Sequence, residues 1–100
     1  MVLNKKIICK DGFSMSVQAH EGAYCEPRTD SAAKYVAAEV GYPSEPEPLF
    51  IQWAESPEQP CNTVYGWVPA HVVTAVCAKH GGVVSGELPA GIPYLSAEDK

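Results

Sequence analysis

The stretch Thr63-Val-Tyr-Gly-Trp-Val-Pro-Ala-His-Val-Val-Thr-Ala-Val-Cys-Ala-Lys-His-Gly-Gly82 changes its hydrophobic period partway along. Residues 63–68 alternate as a strand does. From Pro69 the apolar Val72, Val73, Val76 and Cys77 fall at i, i+1, i+4 and i+5, one stripe of a 3.6-residue helix. The spacing therefore predicts a strand that runs straight into a helix over 69–80. Pro69 suits the first helical turn, where its missing N–H has no intrahelical partner, and Gly81 suits the left-handed residue beyond the end. Lys79 and His80 lie in the last turn, at the negative end of the helix dipole. Because many interior positions are β-branched, the helix must gain its stability by packing on a sheet.

Working outward, residues 5–10, Asp11-Gly12 and residues 13–19 read as a β-hairpin, with Asp-Gly predicting a type I′ turn. Phe13, Met15, Val17 and Ala19 share the core face of its second strand; Ser14, Ser16, Gln18 and His20 share the polar face, with His20 a solvated edge histidine. Pro27 forces Glu26 out of the helical region, and Asp30 favours a turn, so residues 21–30 form a loop. Residues 31–41 admit two readings. Propensity favours a helix capped by Asp30 or Ser31 and ended by Gly41. The alternation of Val36, Ala38, Val40 and Tyr42 favours a strand. Residues 43–48, rich in proline, are a stiff connector to a strand at 49–54, which pairs antiparallel with 63–68 across a loop at 55–62. Residues 83–85 add a short edge strand, 86–95 are irregular, and 96–100 fray. These elements make one α+β domain over 1–100, a mainly antiparallel sheet of four to six strands packed by one helix.

With 46% apolar and 19% charged residues the chain is compositionally globular, and no window reaches the length of a membrane span. Residues 1–10 turn polar at Lys10-Asp11-Gly12 and lack the apolar core of a secretory leader, so a cytoplasmic location is expected. A net charge of −5 disfavours nucleic acid as a partner. Glu45, Glu47, Glu55 and Glu58 cluster among prolines, the pattern of a solvated loop. Cys9, Cys25, Cys61 and Cys77 are 16, 36 and 16 positions apart, without a C-x-x-C pair. They are expected to be free thiols, Cys9 and Cys77 as small buried hydrophobes. A zinc site would have to draw on them and on His20, His71 and His80 without paired ligand spacing, so no metal or cofactor is expected.

The readable nucleotide, protease and esterase motifs are absent. Cys25 or Cys61 with His20 or His71 could assemble a nucleophile and base in space, and Glu21, Glu26, Glu39 or Glu55 could supply carboxylates, but no spacing selects a pair. No catalytic residue is assigned. Binding has a geometric basis. In 49–54, Leu49, Ile51 and Trp53 alternate with Phe50 and Ala54; in 63–68, Val64 and Val68 share one face, Tyr65 and Trp67 the other. One helix covers one side of a sheet, leaving an aromatic row for a partner unless Leu88, Ile92, Tyr94 and Leu95 fold over it. Arg28 lies in a proline-stiffened loop between Tyr24 and Tyr35, where its planar fork can grip a carboxylate or phosphate and stack on a ring, or simply pair with Asp30 or Glu26. Tyr24, Arg28, Tyr65 and Trp67 are therefore the expected binding site.

The phrases at residues 11–19, Tyr24-Cys25 with Pro27-Arg28, residues 39–44, residues 64–69 and residues 79–82 resemble a group of short proteins encoded by phages and prophages of gut bacteria, over roughly residues 8–85. The resemblance implies no reaction, cofactor or site. It does imply a strand at 35–42, although the alanine content here departs from the β-branched pattern of the group. It also sets a functional expectation: a non-enzymatic accessory protein that binds and blocks a host protein, most simply a host-defence factor. Two alternatives stand beside it, a homo-oligomeric sponge for a nucleotide-derived immune signal and a small Cys/His-dependent enzyme.

Overall fold

The computed structural model describes residues 3–97. The Phe13–Ala19 alternation produces the hairpin: β1 (Ile7–Cys9) pairs antiparallel with β2 (Ser14–Gln18), placing Ile7 opposite Met15. Its turn is not the type I′ turn that Asp-Gly predicts. Three residues, Lys10 to Gly12, form the loop; the Gly12 N–H donates to the Cys9 carbonyl, and only Gly12 takes a positive φ, +97°. This is a type I turn closed by a left-handed glycine, and it frees Asp11 to cap the turn, its Oδ1 accepting from the Phe13 N–H at 2.9 Å.

The segment with two readings is a strand, β3 (Ala37–Gly41), paired antiparallel to β2. Tertiary pairing overrides alanine's helix propensity there, because four of its five residues are buried between neighbours. Its other side pairs with β4 (Val64–Pro69), which runs into α1 (Ala70–Lys79) as the change of period predicts. Pro69 both ends the strand and stands at the helix N-cap; Val73, Val76 and Cys77 are buried and Val72 is partly so. β5 (Val83–Ser85) pairs antiparallel with β1 and completes a five-stranded sheet in the order β4-β3-β2-β1-β5. The core lies between sheet and helix and is closed by Phe50, Ile92 and Leu88.

Two expected elements differ. Residues 49–54 are not a strand but a turn followed by one turn of 3-10 helix, Ile51–Trp53. Inward positions there recur every three residues, Glu47 and Phe50 fully buried and Trp53 partly, a spacing no strand can produce; both faces of the expected strand are apolar, so its alternation marks no core side and tertiary packing decides. β4 thus pairs with β3, and with this segment only at a bridge between Ala54 and Tyr65. At the other end, Ser96 bridges Val83 and the Ala97 N–H donates to the Val83 carbonyl, so the expected fraying does not begin at 96; residues 98–100 lie outside the described residues. Among the described residues no helix is long and apolar enough to cross a membrane.

Candidate functional site

The site begins with a bulge. Ala38 pairs with Val68 and Val40 with Tyr65, so Glu39 alone opposes both Gly66 and Trp67. The extra residue is absorbed by Trp67, whose φ is +52°, a left-handed conformation that costs a non-glycine residue roughly 1–2 kcal/mol. Alternation fails across such an insertion. Tyr65 therefore does not share an exposed face with Trp67, as the strand pattern predicts: it points into the core, fully buried, its ring 4.5 Å from that of Phe50 and its hydroxyl donating to the Pro60 carbonyl at 2.6 Å. Trp67 turns outward and stays 49% exposed. Tyr65 is a core residue and is withdrawn from the site.

The other three expected residues do meet. Tyr24 stacks on Trp67, with ring centroids 5.0 Å apart and planes 23° from parallel, and the Arg28 guanidinium lies 5.3 Å from the centre of the Tyr24 ring. Gly66 makes the stack possible, because a Cβ there would stand 3.2 Å from the Cβ of Tyr24. The loop is held from both sides. The Trp67 N–H donates to the Tyr24 carbonyl at 2.9 Å, and the Tyr24 N–H donates to Glu39 Oε1 at 3.0 Å. A small second core of Ala23, Cys25 and Tyr35 anchors it below, with the Tyr35 hydroxyl donating to the Thr29 carbonyl. Arg28 does not take the expected partners Asp30 or Glu26 among the ion pairs of the described residues; its Nε–H donates to the Glu21 carbonyl at 3.2 Å.

Trp53, from the 3-10 turn, faces this stack across an open cleft of about 380 Å³ lined by Tyr24, Trp53, Ala54, Glu55, Gly66 and Trp67. The C-terminal segment does not cover it: Leu88 and Ile92 pack on the main core instead. Sequence reasoning missed Trp53 and Glu55 as site residues because a strand at 49–54 sets Trp53 on a face shared with Leu49 and Ile51. The bulge supplies a test. Trp67→Gly and Trp67→Ala both lose the stack, but only glycine is relaxed at positive φ, so the glycine variant should be about 1 kcal/mol the more stable and melt about 4–8 °C higher. Equal melting temperatures, or a more stable alanine variant, would mean that Trp67 is not held left-handed.

A second polar cluster joins the hairpin turn to the end of the helix. His80, nearly buried, stacks on Phe13 with ring centroids 4.0 Å apart. Its Nδ1–H donates to Asp11 Oδ2 and its Nε2–H to Glu47 Oε1, both at 2.7 Å. Two carboxylate acceptors require both ring nitrogens to carry protons, which is the imidazolium form. Glu47, read from the sequence as part of a solvated loop, is 1% exposed; its Oε2 accepts from Lys79 Nζ and from the Leu49 N–H, each at 2.9 Å. Burial lowers the His80 pKa, but the two carboxylates outweigh it and the net shift is upward. For Glu47 burial raises the pKa, and the Leu49 amide, Lys79 and His80 bring it below the usual carboxylate value. The Phe13 amide and then His80 lower that of Asp11.

These shifts have opposite signs and bracket a window. The His80 contribution is fully present below its ordinary 6.5 and is lost as pH rises through the higher folded value. The carboxylate contributions are present above the ordinary 4.5 and 3.8 and are lost as pH falls through the lower folded values. The melting temperature of the wild type should therefore crest between about pH 4.5 and 6.5 and fall on both sides, while His80→Gln should flatten the decline above about pH 6.5. An unchanged alkaline slope in that variant would show that His80 is not held as imidazolium.

Burial pushes the thiols of Cys9 and Cys25 up and that of Cys77 to about 12, keeping them protonated at neutral pH. Cys25 Sγ lies 3.3 Å from the His20 carbonyl and 3.4 Å from that of Pro27, turned to backbone acceptors rather than to an imidazole. All four cysteines are unpaired. Among the described residues no three His, Cys, Asp or Glu side chains gather as metal ligands. No family model, curated protein or solved structure matches this chain.

Proposed function

We propose that this chain is a small non-enzymatic accessory protein of the phage and prophage kind, which binds a host protein through the Tyr24–Trp53–Trp67 cleft and so blocks it, a host-defence factor being the natural target. The observation that carries the reading is the half-exposed, left-handed Trp67 stacked on Tyr24 and facing Trp53 across open space. Strain of this kind is retained where the surroundings over-determine it, and such places cluster at ligand clamps. Tryptophan, tyrosine and arginine are also the side chains enriched at the energetic centres of protein interfaces. The phage part of this reading rests on the sequence resemblance over residues 8–85, and the host cytoplasm is the proposed site of action, in keeping with the polar turn at residues 10–12.

The test is capture from host extract by the tagged wild type, Trp67→Ala and Trp53→Ala in parallel, with mass spectrometry of proteins and of extracted small molecules. A host protein retained by the wild type and lost at least tenfold in both variants, at unchanged fold, supports the reading. Enrichment of a nucleotide-like metabolite instead favours the sponge. A protein held equally by all three is not bound through this cleft.

A further inference from the structure

We infer that the cleft receives a cationic side chain, the ammonium of a lysine or the guanidinium of an arginine presented on the partner's surface; this rests on the cleft being the partner-binding site. Three aromatic rings line it, from the 20–35 loop, the 3-10 turn and the bulge, and the one ionisable group among its lining residues other than the Tyr24 phenol is the carboxylate of Glu55. The Tyr24 ring is already engaged by Trp67 and Arg28, so a cation entering the cleft is attracted by the negative ring potential of the two tryptophans that line it and by the Glu55 carboxylate together. A carboxylate or phosphate would meet repulsion from both, and the Arg28 guanidinium, which lies over Tyr24 and donates to the Glu21 carbonyl, is not among the residues that line the cleft. A neutral apolar side chain would fill the space but strip water from Glu55 without replacing its hydrogen bonds. The protein makes the same kind of contact internally, where Arg28 lies over Tyr24.

Charge and size agree with this occupant. A net charge of −5 draws basic surfaces and repels acidic ones during encounter. A volume of about 380 Å³ stands near the lower end of the roughly 300–1,000 Å³ typical of ligand clefts, suited to one long side chain rather than a folded segment. A nucleobase could stack on the same rings, but its phosphates would be carried into the field of Glu55.

Both tryptophans of the chain line the cleft, so indole fluorescence excited selectively reports on it alone. The full-length protein is titrated with N-acetyl-lysine amide, N-acetyl-arginine amide, the uncharged N-acetyl-norleucine amide and the acidic N-acetyl-glutamate amide. The cationic probes should give a saturable change in the millimolar range, and the neutral and acidic probes should bind at least about tenfold more weakly. Glu55→Gln, a change at an exposed side chain, should weaken the cationic probes about tenfold at unchanged melting temperature. Neutral or acidic probes that bind as well as the cationic ones, no saturable response to the cationic ones, or indifference to Glu55→Gln would each overturn the inference. The two readings fail separately. Loss of host-protein capture in Trp67→Ala without a response to cations leaves the cleft as the binding site and removes only its cationic ligand, whereas a cation response with Trp67-independent capture removes the cleft from partner binding.

Discussion

Glu47→Ala should lower the melting temperature by about 12–24 °C, the equivalent of about 3 kcal/mol in a domain of this size. The carboxylate is 1% exposed and accepts from the His80 imidazolium, the Lys79 ammonium and the Leu49 amide. Its removal leaves the His80 Nε2–H with no acceptor in a nearly buried position, and it leaves the charge of that ring balanced by Asp11 alone. The loss of one member of a buried pair is far more costly than the pair is stabilising, because the survivor keeps its desolvation penalty. Glu47→Gln keeps the volume and one acceptor, so its loss should be smaller; Glu45→Ala, on an exposed neighbour in the same connector, should change little. Thermal denaturation of the three variants at about pH 6, inside the stability window, decides the matter. A Glu47→Ala protein that melts within a few degrees of the wild type would show the cluster to be ornamental.

What could be read from the sequence was local. The hairpin faces and the β4-to-α1 transition depend on neighbours within a few positions, where a period of two or 3.6 is visible directly. Features that failed to show depend on partners far along the chain. Glu47 looks like any glutamate between prolines until His80, 33 positions later, and Asp11, 69 positions before His80, come together around one ring. Trp53 lies in a run that is apolar on both faces, so its alternation does not show which side packs, and with Phe50 packed on Tyr65 that run forms a 3-10 turn instead of a strand. Of the expected site, Tyr24, Arg28 and Trp67 converge because one loop carries two of them beside the third. Tyr65 was misplaced by a single inserted residue, since a shift of one reverses every side chain on one side of it. The Val-Tyr-Gly-Trp-Val string contains no sign of that insertion beyond Gly66, which in hindsight marks the close approach of Tyr24.

The bulge makes adjacent aromatic positions behave in opposite ways, and Tyr65→Ala should show it by costing about 3–5 kcal/mol. Tyr65 is among the largest fully buried side chains; its ring closes the core against Phe50, and its hydroxyl satisfies the Pro60 carbonyl. Truncation opens a cavity where β4 meets the 3-10 segment, so the melting temperature should fall by about 12 °C or more. Tyr65→Phe keeps the ring and loses only the hydrogen bond to Pro60, a loss of about 1 kcal/mol. Trp67→Ala removes a larger side chain, yet one that is half in solvent and stacked on Tyr24, so it should cost about 1 kcal/mol while weakening partner capture at least tenfold. Tyr65→Phe should bind as the wild type does. Strict alternation through residues 64–68 predicts no such difference, because it places both rings on one exposed face and lets both alanine variants melt alike. Chemical denaturation of the three variants therefore reads the bulge directly: similar losses for Tyr65→Ala and Trp67→Ala would return Tyr65 to the surface and dissolve the cleft.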